Sequence, residues 1–232
     1  MKYYQINNSE NEKIIGFRNQ INQFNLKLQL VKNYQNFELI TNHMIHNNNL
    51  PVDQLPSFSN FLLDNRAKLT DVIACNPMLL TQSGFLINGK VKNIFDQFSV
   101  PYTYHDAIIH GNGHKQIPKK SVNYFYIDIK NALDFNACLY NNSHVLDYEK
   151  CVFEVNDSPA SINTYNDFVN TFKHSQTKKM IPTKLVLLKP MDIIRLPGET
   201  GILCSEQLKN ILEKESITGY DFIDLNIDVS HV

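Results

Sequence analysis

After Leu86 and Ile87, the apolar residues fall at Val91, Ile94, Phe95 and Phe98. Steps of four, three, one and three keep them on one stripe of a 3.6-residue repeat, which predicts an amphipathic helix over Leu86–Phe98. Gly89 lies inside that span, where glycine costs about 1 kcal/mol relative to alanine. The period then changes. "PYTYHDAIIH" and "SVNYFYIDI" are dense in aromatic and β-branched residues, and "GNGHKQIPKK" between them is rich in turn formers. That pattern predicts two strands joined by a loop.

The same signals mark the rest of the chain. "KYYQI" predicts a first strand, and "ENEKIIGF" a loop into a second short one. Leu26–Ile45 mixes Leu, Val, Phe and Ile at irregular spacing and favours strand, and the Asn- and Pro-rich "HNNNLPVDQLP" predicts a loop. Cys151–Val155, Lys184–Leu188 and Asp192–Leu196 are further strand candidates. Ser205 sits where a helix N-cap belongs, with Glu206 in the first turn, where a carboxylate suits the helix dipole. Leu208, Ile211 and Leu212 then form an apolar stripe. Gly219 suits a helix exit or turn, and "YDFIDLNI" alternates like a half-buried strand.

Two of these stretches read alike. "VKNIFDQFSVPYTYHD" (91–106) and "LKNILEKESITGYDFID" (208–224) share Lys92/Lys209, Asn93/Asn210, Ile94/Ile211 and Ser99/Ser216. With Gly219 taken as one inserted residue, Tyr102 matches Tyr220, Tyr104 pairs with Phe222, and Asp106 matches Asp224. True duplication and the drift of any helix–turn–strand unit both produce such a likeness. Either way the expected class is α+β, with mixed, largely antiparallel sheets, a few packed helices and two pseudo-related helix–strand units. The 232 residues, 43% of them hydrophobic, suffice for one large domain, or for two sub-units at about 1–155 and 156–232.

Charged residues make up 19% of the chain and the net charge is −1, so bulk charge gives no reason to expect nucleic acid or an anionic membrane as partner. The N-terminal "MKYYQINNSENEK" has no apolar run of signal-peptide type, and no stretch reaches the ~18 apolar residues of a membrane span. Cys75, Cys138, Cys151 and Cys204 are scattered and form no C-x-x-C pair, as expected of reduced thiols in a cytoplasmic protein.

No catalytic constellation stands out. His105, Asp106, His110 and His114 fall within ten residues, but His105 and His110 are five apart and face opposite sides of a strand. The ordinary reading is a hairpin tip with exposed imidazoles and no metal. "HGNGH" lacks the following helix and the Gly-Lys-Ser/Thr ending of a phosphate loop, and Ser205 is explained as a cap without a His partner. No catalytic residue, metal or cofactor is expected.

"DIIRLPGETGILCSEQLKNILEKESITGYDF" resembles the C-terminal signature of the Imm11-type bacterial immunity proteins. That signature runs from a strand (here Asp192–Leu196) through a Ser-Glu pair opening a helix (Ser205–Glu206) to an exit strand (Ile217, Thr218, Gly219, Tyr220 and Phe222). "VNYFYIDI" is similar to the family's aromatic strand. "LDYEKCVFE" is similar to its Asp-x-Glu-Lys-Ser-x-Phe segment, with Cys151 in place of Ser. The family also tends to carry an earlier copy of the Ser–helix–strand unit. The likeness covers roughly residues 75–226.

The resemblance implies a non-enzymatic immunity protein that stays in the producing cell and neutralises a cognate secreted polymorphic toxin by binding it. It does not name the toxin. The rival expectations are a hydrolase that reverses the toxin's modification, and an adaptor or scaffold unrelated to toxins. Charge placement suggests where a toxin would bind. Lys173–Arg195 carries six basic residues against Asp192, whereas Glu199–Val232 carries seven acids against Lys209 and Lys214. Two ordinary solvated faces would read the same way. The functional reading is an acidic surface, with Glu206, Glu213, Asp221 and Asp224 as candidate partner-binding residues, meeting a basic toxin domain such as a nuclease.

Overall fold

The computed structural model describes residues 2–17, 20–24, 58–73, 84–100, 102–111, 120–127, 132–147, 152–154, 158–167, 178–195, 202–224 and 227–232. In chain order the elements are β1 (Tyr3–Asn8), α1 (Glu12–Ile15), β2 (Ile21–Phe24), β3 (Phe58–Leu63), β4 (Val72–Ile73), β5 (Gly84–Ile87), α2 (Gly89–Phe95), β6 (Tyr102–Gly111) and β7 (Lys120–Ile127). There follow β8 (Leu139–Asp147), β9 (Val152–Glu154), β10 (Ser158–Ala160), β11 (Lys178–Leu187), β12 (Ile193–Arg195), β13 (Ile202–Ser205), α3 (Glu206–Lys214), β14 (Tyr220–Asp224) and β15 (Asp228–His231).

The fold is α+β. One sheet has the order β12-β13-β1-β14, a second β4-β5-β7-β6-β3-β2, and a third β10-β8-β11-β15 with β9 also on β8. All these pairings are antiparallel except β3 with β6 and β11 with β15.

The two look-alike stretches take the same place in two sheets. β13, α3 and β14 form a strand–helix–strand unit whose strands are parallel but not adjacent, because β1 lies between them and runs antiparallel to both. β5, α2 and β6 repeat this plan with β7 as the inserted strand. β12 flanks β13 as β4 flanks β5. The likeness therefore extends upstream of the helices, where Phe85, Leu86, Ile87 and Asn88 correspond to Ile202, Leu203, Cys204 and Ser205. The inserted strand has no counterpart in the repeat. It follows β6 directly in one unit, and comes from the start of the chain in the other.

Both helices begin at a polar cap. The Ser205 hydroxyl accepts from the Leu208 N–H at 3.2 Å, and the Asn88 side chain accepts from the N–H groups of Lys90 and Val91 at 3.0 and 3.1 Å. Each cap is fixed in turn by an aspartate on the neighbouring edge strand's approach. Asp192 accepts the Ser205 hydroxyl at 2.6 Å, and Asp71 accepts the Asn88 amide at 2.6 Å. The second oxygen of each carboxylate reaches the loop after the other unit's helix. Asp192 accepts the Ser99 N–H at 3.2 Å, and Asp71 accepts the Thr218 N–H at 2.9 Å and hydroxyl at 2.8 Å. The units are thus cross-braced by two equivalent carboxylates. Asp71→Ala and Asp192→Ala are each expected to lower stability in urea by about 1–3 kcal/mol, since each strands several donors at once. Losses inside about 0.5 kcal/mol would show that packing alone holds the two units together.

Packing explains why the helices sit where they do. Val91, Ile94 and Phe95 of α2, and Leu208 and Leu212 of α3, share one core with Ile6, Val72, Ile87, Ile193, Ile202, Cys204 and Ile217. Strand alternation sends Leu203, Ile194 and Tyr3 to the opposite face of the first sheet. There they pack with Leu185, Leu187, Tyr140, Phe135 and Met191. Burial there pushes the Tyr3 hydroxyl up to about 12, and that hydroxyl donates to Met191 O at 2.8 Å.

Several sequence expectations shift. The helix over Leu86–Phe98 begins only at Gly89, because Leu86 and Ile87 belong to β5 and Asn88 caps. Gly89 is accordingly the first helical residue and carries no interior penalty. "ENEKIIGF" holds α1, not a strand, since the Asn11 side chain accepts from the Lys13 N–H at 3.1 Å and starts a helical turn. Lys184–Leu188 is the end of the longer β11, with Leu188 outside it and 50% exposed. The strands at Tyr3, Tyr102, Ser121, Val152 and Ile193, the Ser205 cap and the α3 stripe fall as predicted. Leu26–Ile45, the loop at 46–56 and the hairpin turn at 112–119 lie outside the described residues. Among the described residues, no helix is long and apolar enough to cross a membrane.

Candidate functional site

An open groove of about 620 Å³ runs between α3 and the outer side of β14. Its floor is aromatic. Tyr4, Phe222 and Asp224 share one face of the β1–β14 pair because Tyr4 lies opposite Asp224 and Ile6 opposite Phe222. The Tyr4 and Phe222 rings meet edge to face at 6.4 Å, and those of Tyr220 and Phe222 at 4.8 Å. Burial, and then the Glu213 carboxylate, push the Tyr220 hydroxyl well above its ordinary range.

Charge rings this floor. The Lys209 ammonium bonds the Glu213 carboxylate at 2.8 Å, one helical turn on, and lies 4.9 Å from the Tyr4 ring centre and 5.3 Å from that of Phe222. The Glu213 hydrogen bond holds the Lys209 pKa above its usual value. Lys2 pairs with Asp224 at 3.0 Å and covers the Tyr4 ring from 4.6 Å; Tyr4 and Asp224 keep it firmly protonated. Both pairs are solvated and contribute little stability.

The structure gathers the four acids predicted from charge balance. Glu213, Asp221 and Asp224 line the groove, and Glu206 stands beside it, accepting the Tyr4 hydroxyl at 3.3 Å. Asp221 also accepts the Glu10 N–H at 3.3 Å. Composition missed Tyr4 and Lys209. The aromatic alternation of "KYYQI" marked a strand but gave no hint that it lay under α3.

Elsewhere, Ser205 is 0% exposed and its hydroxyl is engaged with Leu208 and Asp192, so it has no access to a substrate. Cys138 and Cys204 are buried free thiols, and burial pushes Cys204 up to about 12, far from a reactive thiolate. Cys75 and Cys151 lie outside the described residues. His105 and His110 sit on β6 opposite Tyr124 of β7 and Leu62 of β3, and burial lowers the His105 pKa. His114 lies outside the described residues. Among the described residues, no three His, Cys, Asp or Glu side chains come together as a metal site. What the groove offers chemically is a surface of rings and carboxylates suited to contact. No family model matches the chain, and no curated protein matches it.

Proposed function

We propose that the protein is a cytoplasmic immunity protein that binds a cognate secreted toxin domain in the producing cell and blocks it by occlusion, without turnover. The resemblance of Asp192–Phe222 to the Imm11-type signature suggests the role. The observation that supports it is the groove, where, among the described residues, aromatic rings are bordered by the three carboxylates of Glu213, Asp221 and Asp224 against the one ammonium of Lys209. Aromatic anchors inside a charged rim are the composition of protein-binding hot spots. A basic toxin domain, such as a nuclease, matches this rim, and a tight inhibitor interface would bury ~1,600 Å² in total.

The test is a titration. The C-terminal domain of a secreted protein encoded beside this gene is purified, and its activity is followed as the protein is added. Complete inhibition near one equivalent is expected. Full protection at about a hundredth of an equivalent would indicate a hydrolase reversing the toxin's effect. Absence of any binding would favour an adaptor unrelated to toxins.

A further inference from the structure

β14 is the end strand of its sheet, and among the described residues nothing pairs with its outer edge. The register shows which groups that edge presents. The Ser9 N–H bonds Gly219 O at 3.1 Å, and the same pairing continues through Asn7 opposite Asp221 and Gln5 opposite Ile223. In an antiparallel pair, bonded and non-bonded positions alternate. Asp221 and Ile223 therefore turn their N–H and C=O groups toward β1. Tyr220, Phe222 and Asp224 turn theirs outward, and the same three residues line the groove.

The other unit carries a strand on the same side, beyond the stretch that corresponds to β14. β6, the counterpart of β14, carries β3 alongside it in parallel. That pairing starts at Ala107, one residue past Asp106, the counterpart of Asp224.

We infer that the outer edge of β14 takes up an extended segment of a partner protein as an added strand, with Lys or Arg at alternate positions directed over the groove. Backbone bonds to Tyr220, Phe222 and Asp224 would hold the segment, and its alternate side chains would take Glu213 and Asp224 from their solvated partners Lys209 and Lys2 on one face and meet Ile223, 44% exposed, on the other. A second copy of this chain fits poorly, because edge-to-edge pairing sets two acidic rims together. For the partner's identity the inference rests on the neutralisation reading, but the edge can be tested apart from it.

The probe is a blocked heptapeptide of alternating Val and Lys, titrated into the full chain while backbone amides are followed by NMR. Shifts and slowed exchange are expected at the amides of Tyr220, Phe222 and Asp224, with none from the matching Val and Glu peptide. Asp224→Pro places a proline where the N–H faces outward, so the β1 ladder survives. It is expected to bind the Lys peptide at least about threefold to tenfold more weakly than Asp224→Asn, which loses the same charge but keeps the donor. An unchanged melting temperature relative to Asp224→Asn confirms that the variant folds. Silent edge amides at millimolar Lys peptide, equal response to the Glu peptide, or equal affinity of the two variants would each overturn the inference. A toxin domain neutralised normally by Asp224→Pro would remove the edge and keep the proposed function. A Lys peptide docking on the edge of a protein that binds no toxin would do the reverse.

Discussion

A chain ending at Gly201 is expected to be insoluble, or to lack a cooperative unfolding transition. The missing residues include both neighbours of β1, which is left without any sheet partner. One core loses Ile202, Cys204, Leu208, Leu212 and Ile217, and the other loses Leu203. Each large aliphatic side chain among these contributes about 1.5–3 kcal/mol on burial. Their sum rivals the ~5–15 kcal/mol by which a whole domain is stable. Leu212→Ala is the graded form of the same test. Leu212 is 1% exposed, so the substitution should cost about 2–5 kcal/mol in urea denaturation. A soluble truncation with a sharp transition would contradict this packing.

Gly219→Ala is expected to destabilise by about 2–5 kcal/mol, far beyond the usual effect of adding one methyl group at a turn. Two causes act together. Gly219 has φ +98°, a conformation that side chains rarely adopt, and a Cβ built there runs into Val72 O and the Thr70 side chain. Neither neighbour yields easily. The backbone of Val72 is held by its N–H bond to Thr218 O at 2.9 Å, and the Thr70 hydroxyl is held by Gln20 and Val72 O. Thermal melting of Gly219→Ala beside the unsubstituted protein is the measurement. A shift of only one or two degrees would mean that the turn re-forms with an ordinary φ.

The parts of this fold legible in the sequence are those whose cause is local. Ser205, followed by Glu206 and the stripe of Leu208 and Leu212, carries a cap, a dipole match and a helical period within eight residues. The aromatic β6–β7 hairpin likewise announced itself. Leu86 and Ile87 misled because a short buried strand leading into a helix can fall by chance on the helix's own stripe; Asn88 was the stop signal. β8 escaped because "LYNNSHVLD" lacks the β-branched density that marks a strand. At the groove, Glu213, Asp221 and Asp224 were accessible to charge counting, since they cluster in sequence. Tyr4 lies about two hundred residues from Lys209, and a contact of that separation leaves no period or motif to read.

The place of β1 also sets a timetable. It is made about two hundred residues before β13 and β14, the strands on either side of it. During synthesis at about 5–20 residues per second, β1 waits for tens of seconds with both edges open. Its hydrophobic faces, Tyr3 on one side and Ile6 on the other, wait with it. The helix that covers Ile6, α3, is made between those two strands. The groove between α3 and β14 therefore waits on the β13–α3–β14 unit, and nascent chains interrupted before that unit have no groove to offer a partner.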